Sequence, residues 1–134
     1  MLTDLLTAEP GTLIAQFSPL PSTPEDLVRY ARASGDTNPL HLDPEFAKQA
    51  GFADLVVHGM LNMAHLGRLL TDHFAAERIR AFSARFESVV LVGQRVMYRA
   101  CLVEKSPEGI TLALDGSLHG GARVISGQAF VSAR

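Results

Sequence analysis

The stretch from residue 59 to about residue 77 limits the fold more than any other part of this chain. Met60, Leu61, Met63, Ala64, Leu66, Leu69, Leu70 and Phe74 cover most of the circumference of a helix there. Asn62, His65, Arg68 and Asp72 remain as a narrow polar stripe at three- and four-residue spacing. A helix apolar on nearly every side is enclosed by other elements rather than laid on a surface. The material to enclose it follows at once. Phe82, Ala84, Phe86, Ser88 and Val90 alternate with Ser83, Arg85, Glu87 and Val89, and residues 94–104 are rich in Val, Met, Tyr and Leu. Ser106-Pro107-Glu108-Gly109 reads as a turn, Ile110, Leu112 and Leu114 alternate up to a hairpin signal at Gly120-Gly121, and residues 122–132 close the chain. One buried helix followed by a strand meander predicts an α+β domain, an antiparallel sheet wrapped around one long central helix. At 134 residues this is a single domain over 1–134, and 47% hydrophobic against 19% charged residues supply its core. Such a sheet has edges to protect, and pairing two protomers is a common solution.

The first third positions a loop. Residues 12–17 read as a short strand and residues 18–24 as a proline-rich connection. Thr23 is an N-cap, with Pro24 at the first helical position and Glu25 and Asp26 in the first turn. Leu27, Tyr30 and Ala31 keep helical spacing until Gly35 stops it. Asp43-Pro44-Glu45 restarts a helix by the same logic, and Gly51 ends it. Between them, Gly35-Asp36-Thr37-Asn38-Pro39-Leu40-His41 cannot be helical, because Pro39 lacks an amide hydrogen and pushes Asn38 out of helical geometry. A loop pinned between two helix ends suits a site held in place.

On that loop, the carboxylate of Asp36 and the imidazole of His41 can share one water and move its protons, with Asn38 orienting either partner. The residues alone equally allow Asp36 and Asn38 to stabilise a turn and His41 to pack against the next helix. His58-Gly59-Met60 is a second candidate. Gly59 begins the buried helix, where backbone amides are unpaired and carry partial positive charge, so a carbonyl oxygen gaining charge can be held there. The alternative is that Gly59 only relieves crowding.

Other classes find little support. His41, His58, His65, His73 and His119 form no HxxxH or HExxH pair and there is no cysteine cluster, so no metal is expected. No GxSxG, GxGxxG or GxxxxGK[ST] pattern is present. A net charge of −2 with the signs interspersed gives no footprint for nucleic acid or an anionic membrane. Cys101 stands alone and reads as a small apolar filler in a strand, which fits a reducing compartment. The N-terminus lacks the features of a secretory signal and no apolar run has the length of a membrane span, so a cytoplasmic location is expected.

Residues 30–43, with the pattern GDxNPxH at Gly35, Asp36, Asn38, Pro39 and His41, followed by His58-Gly59-Met60, resemble the MaoC-like dehydratases and (R)-specific enoyl-CoA hydratases, over about residues 10–132. The resemblance implies the hot dog fold and reversible addition of water to trans-2-enoyl thioesters, giving (3R)-hydroxyacyl thioesters. It implies that Asp36 and His41 hold and activate the water, that the Gly59 amide binds the thioester carbonyl, and that Asn38 supports the loop. No metal or organic cofactor is implied; coenzyme A or phosphopantetheine arrives as part of the substrate. Val56, Leu61, Met63, Phe86 and Tyr98 are the expected tunnel residues, each of which also fits a plain core. The chain departs from the family at Gly67, where many hydratases carry serine, and at Val89-Val90-Leu91-Val92-Gly93-Gln94, where a Pro-Val…Pro-Gly-Asp run is common. A homodimer is expected, with a heterodimer of related chains as the alternative. Two other functions stay open: a non-catalytic acyl-thioester binding module, and a hot dog thioesterase. The thioesterase would need an acid on the central helix, where only Asp72 is available, near the far end.

Overall fold

A computed structural model describes Leu5 and residues 7–134; the rest of the N-terminal stretch, read above as carrying no secretory signal, lies outside the described residues. The elements in chain order are β1 (Leu13–Phe17), α1 (Pro24–Ser34), a 3-10 turn (Pro39–His41), α2 (Pro44–Gln49), α3 (Gly59–Thr71), a second 3-10 turn (Ala76–Arg78), β2 (Ile79–Phe86), β3 (Val96–Ser106), β4 (Gly109–Leu118) and β5 (Arg123–Ser132).

The short helices obey their capping residues. The Thr23 hydroxyl accepts from the Asp26 amide at 3.2 Å, and the Thr23 amide donates to the Asp26 carboxylate at 2.9 Å, a reciprocal capping box. Gly35 ends α1 at a φ of 81°, a left-handed conformation that a side chain would strain. The Asp43 carboxylate accepts from the amides of Glu45 and Phe46 to start α2.

The five strands form one antiparallel sheet in the order β1-β3-β4-β5-β2. The β3-β4-β5 meander matches the expectation. The strand before it does not join the meander in sequence: β2 pairs with β5 at one edge, and β1 pairs with β3 at the other. The alternating run expected through Val90 also stops at Phe86. Residues 87–92 leave the sheet, with the Glu87 amide on the Val124 carbonyl at 2.9 Å and Leu91 bridging to Val56, because the chain must cross from one edge of the sheet to the other side of the meander.

Helix α3 packs against β1, β2, β3 and β4, burying Leu66, Leu69 and Leu70 against Tyr98, Leu102 and Leu112. It is shorter than its sequence pattern. The apolar spacing runs to about residue 77, but the helix ends at Thr71: His73 Nδ1 meets the Leu69 carbonyl at 2.9 Å, and the chain turns to seat Phe74 in the core. Nor is it enclosed on every side, since Met60 is 55% exposed. Cys101 sits half-buried on β3 between Leu13 and Ala113. Among the described residues no helix is long and apolar enough to cross a membrane.

Candidate active site

The loop after α1 is built from polar side chains that bond to the backbone two residues away. The Ser34 hydroxyl accepts from the Asp36 amide at 3.1 Å, Asp36 Oδ1 from the Asn38 amide at 3.2 Å, and Asn38 Oδ1 from the Leu40 amide at 3.0 Å. The loop therefore curls, and Asp36 Oδ2 comes to rest 3.6 Å from His41 Nε2. That separation is too long for a direct hydrogen bond and short enough for both atoms to touch one water. His41 is nearly buried, whereas the Asp36 side chain is half exposed.

His41 is clamped by Val56. Its Nδ1 lies 2.6 Å from the Val56 carbonyl, and the Val56 amide donates to the Leu40 carbonyl at 3.0 Å. A carbonyl only accepts, so Nδ1 carries the hydrogen and the neutral ring presents the Nε2 lone pair to Asp36. Val57 in turn donates to the Val90 carbonyl at 2.7 Å, which ties this wall to the crossing segment.

His58 is the residue whose part in the site the sequence did not reveal. It is completely buried, its ring stacks on His41 with centroids 3.7 Å apart, and Tyr30 meets it edge-on at 4.8 Å. Nε2 donates to the Asp36 backbone carbonyl at 3.1 Å, while Nδ1 has no partner among the described residues. Burial, with His41 nearby, lowers its pKa from the ordinary 6.5, so the ring stays neutral. His58 thus supports the backbone of Asp36 and the ring of His41 together.

Gly59 heads α3, so its amide has no acceptor within the helix. A Cβ here would lie 3.3 Å from the Phe86 ring, so the position is tight as well as open to an approaching ligand atom. A cavity of about 250 Å³ opens beside it, lined by His41, Val56, Gly59, Asn62, Phe86 and Val89 among others. His41, Gly59, Val56 and Phe86 therefore line one cavity, with Asp36 reaching it only through His41, 3.6 Å away. The other expected tunnel residues do not join them: Leu61 lines a separate hollow with Tyr30 and His65, Met63 packs against the core, and Tyr98 is buried beneath Asn62.

Asp36, His41 and His58 carry donor atoms within 4.8 Å of one another. The two rings are stacked at an interplanar angle of 21°, so their in-plane lone pairs run in nearly parallel planes. Asp72, the acid on which thioester hydrolysis would depend, sits past the end of α3, 3.6 Å from Arg68.

An antiparallel sheet over one long helix, with Asp36 and His41 beside that helix's first turn, defines a hot dog domain. Its backbone superposes on the (R)-hydratase from A. caviae involved in PHA biosynthesis with a TM-score of 0.82 and 29% identity, covering 94% of this chain and 97% of that one. The R-hydratase PhaJ1 from Pseudomonas aeruginosa gives 0.82 and 26%, covering 93% and 81%. The profile of the MaoC like domain matches residues 6–111, and the chain belongs to that family. By sequence it is 41% identical over 73 residues to the mitochondrial 3-hydroxyacyl-(acyl-carrier-protein) dehydratase of Arabidopsis thaliana, a stretch that is 54% of this chain and 44% of that protein. It is 33% identical over 103 residues to the peroxisomal multifunctional enzyme type 2 of Mus musculus, 75% of this chain and 13% of that protein. The chain spans less than half the length of these curated relatives.

Proposed function

We propose that this protein is a hydro-lyase that reversibly adds water to trans-2-enoyl thioesters, giving (3R)-hydroxyacyl thioesters. The observation that carries the reading is the bare Nε2 of His41 facing Asp36 Oδ2 across 3.6 Å, beside the amide that opens α3. A water between the two atoms gives a proton to His41 as its oxygen bonds to C3. The C2=C3 electron pair moves toward the thioester carbonyl, and the Gly59 amide stabilises the charge gained there. The acid–base pair then returns a proton to C2, so one hydrogen and one hydroxyl are added in total. Dehydration runs the same steps backwards.

The catalytic groups are side chains and one backbone amide, and the reaction needs no bound metal or organic cofactor; coenzyme A or a phosphopantetheine carrier enters with the acyl group. Similarity to (R)-hydratases and to a 3-hydroxyacyl-(acyl-carrier-protein) dehydratase supports this substrate class. The working form is a homodimer. Phe86 and Val89 on the cavity wall are 50% and 46% exposed, and Met60, next to Gly59 on the helix, is 55% exposed, an apolar surface that a second chain covers.

The direct test mixes purified protein with crotonyl-CoA. Loss of the enoyl absorbance without release of free thiol, abolished by Asp36→Asn, is the expected result. Thiol release would mark a thioesterase, and tight binding of acyl thioesters with no turnover on any enoyl chain would mark a binding module.

A further inference from the structure

Three polar side chains are buried among the described residues: His41, His58 and Asn62. The first two belong to the acid–base loop and its support. Asn62 lies on α3, 4% exposed, and forms part of the same cavity wall as His41 and Gly59. Its Oδ1 accepts a hydrogen bond from the Tyr98 hydroxyl at 3.3 Å. Tyr98 is 1% exposed, and burial pushes its phenol well above its ordinary pKa, so the hydroxyl keeps its proton. A buried hydroxyl proton needs an acceptor, and Oδ1 is the one it has. This fixes the carboxamide: Oδ1 faces Tyr98, and the Nδ2 amide turns away with no acceptor among the described residues.

Helix geometry sets the direction of that amide. Asn62 follows Gly59 by three residues, so both share one face of α3. Helical side chains lean back toward the N-terminus, which carries the carboxamide over the first turn, where the Gly59 amide opens into the cavity. Among the described residues only His58 Nδ1 is a sealed side-chain atom without a partner, so the unused Nδ2 donor of Asn62 is open to the cavity, where a ligand oxygen can accept from it. The rest of the wall is Val56, Val57, Phe86, Glu87, Ser88 and Val89; neither Glu87 nor Ser88 bonds to Nδ2, and the water of the reaction belongs to Asp36 and His41. The remaining acceptor in the proposed reaction is the thioester carbonyl.

We propose that Asn62 is a further catalytic residue, whose Nδ2 donates to the thioester carbonyl oxygen alongside the Gly59 amide, with Tyr98 as its positioning residue. The assignment rests on the hydratase reading. Two donors on one oxygen make an oxyanion hole, and loss of one such donor typically lowers kcat by about 10²–10³-fold.

The test compares wild type, Asn62→Leu and the near-isosteric Asn62→Asp in steady-state hydration of crotonyl-CoA, with circular dichroism and melting temperature as checks on folding. The carbonyl stretch of bound butyryl-CoA is read by difference infrared spectroscopy. Both variants should lose about 10²–10³-fold in kcat with KM far less affected, and the stretch should move to higher frequency in Asn62→Leu. If Asn62→Leu fails to fold, Asn62→Asp, which keeps the Tyr98 bond and removes the donor, decides the matter. Wild-type kcat in a folded variant, or an unmoved stretch, overturns the assignment and leaves the hydratase reading standing. Inactivity of the wild type toward every enoyl thioester overturns both.

Discussion

At His41 the direction of one hydrogen bond decides which nitrogen can work. Because Nδ1 donates to Val56, the nitrogen left for the proposed base is Nε2, and His41→Gln should lower hydration by about 10²–10⁴-fold. Asp36→Asn keeps the Oδ1 that accepts from the Asn38 amide, so the loop should persist while activity falls by a similar factor; full activity in either variant would sink the mechanism. His58→Gln retains a donor for the Asp36 carbonyl, whereas His58→Leu does not. The Leu variant should lose more activity and about 1–3 kcal/mol more stability, read from kcat and from urea midpoints. Burial lowers the pKa of both His58 and His65 from 6.5, with nearby His41 and Arg68 respectively adding to the effect. The unfolded chain takes up protons at both positions as pH falls through that value and the folded chain does not. Stability is therefore held above it and lost below, so the melting temperature should drop on acidification from about pH 7 to about pH 5, and His65→Gln should flatten part of the drop. Asp36, Asn38, His41 and Gly59 could be read in the sequence because the loop that carries three of them is local. His58 and Asn62 could not, since their partners lie 22 and 36 residues away and only the fold brings them near.

At the scale of elements, caps were legible and ends and neighbours less so. Thr23, Asp43 and Gly35 act through bonds spanning a few residues, and the helices begin and stop where those residues say. The end of α3 is set by the burial of Phe74, a tertiary event that apolar spacing cannot distinguish from another helical turn. Likewise the alternation in β2 announced a strand but not its partner, because a period of two fixes a face and leaves the neighbour open. The meander is tightly packed where β4 crosses β3. A Cβ at Gly116 would stand 2.8 Å from the Tyr98 ring and 2.9 Å from Ile125 Cγ2. Gly116→Ala should therefore destabilise the protein by about 1–3 kcal/mol in urea unfolding; a midpoint equal to wild type would show that Tyr98 moves freely. Since Tyr98 holds Asn62, the same variant should also lower kcat.

For the whole molecule, the exposed apolar group at Met60, Phe86 and Val89 bears on how the chain lives in solution. Light scattering should give about twice the chain mass of 14.4 kDa, and Met60→Lys combined with Phe86→Asp should return it to one. A wild-type monomer would remove the homodimer and point to a different partner chain.

The strand order β1-β3-β4-β5-β2 also has a consequence for biosynthesis. A ribosome delivers the acid–base loop before any strand of the meander exists. Val57 then waits for Val90, and Asn62 for Tyr98. Both edge strands are made before their partners, β1 waiting for β3 and β2 for β5, so the sheet closes by contacts far apart in sequence, a slow class of folding step. A nascent chain stalled before β3 would hold every residue of the proposed chemistry and no assembled site.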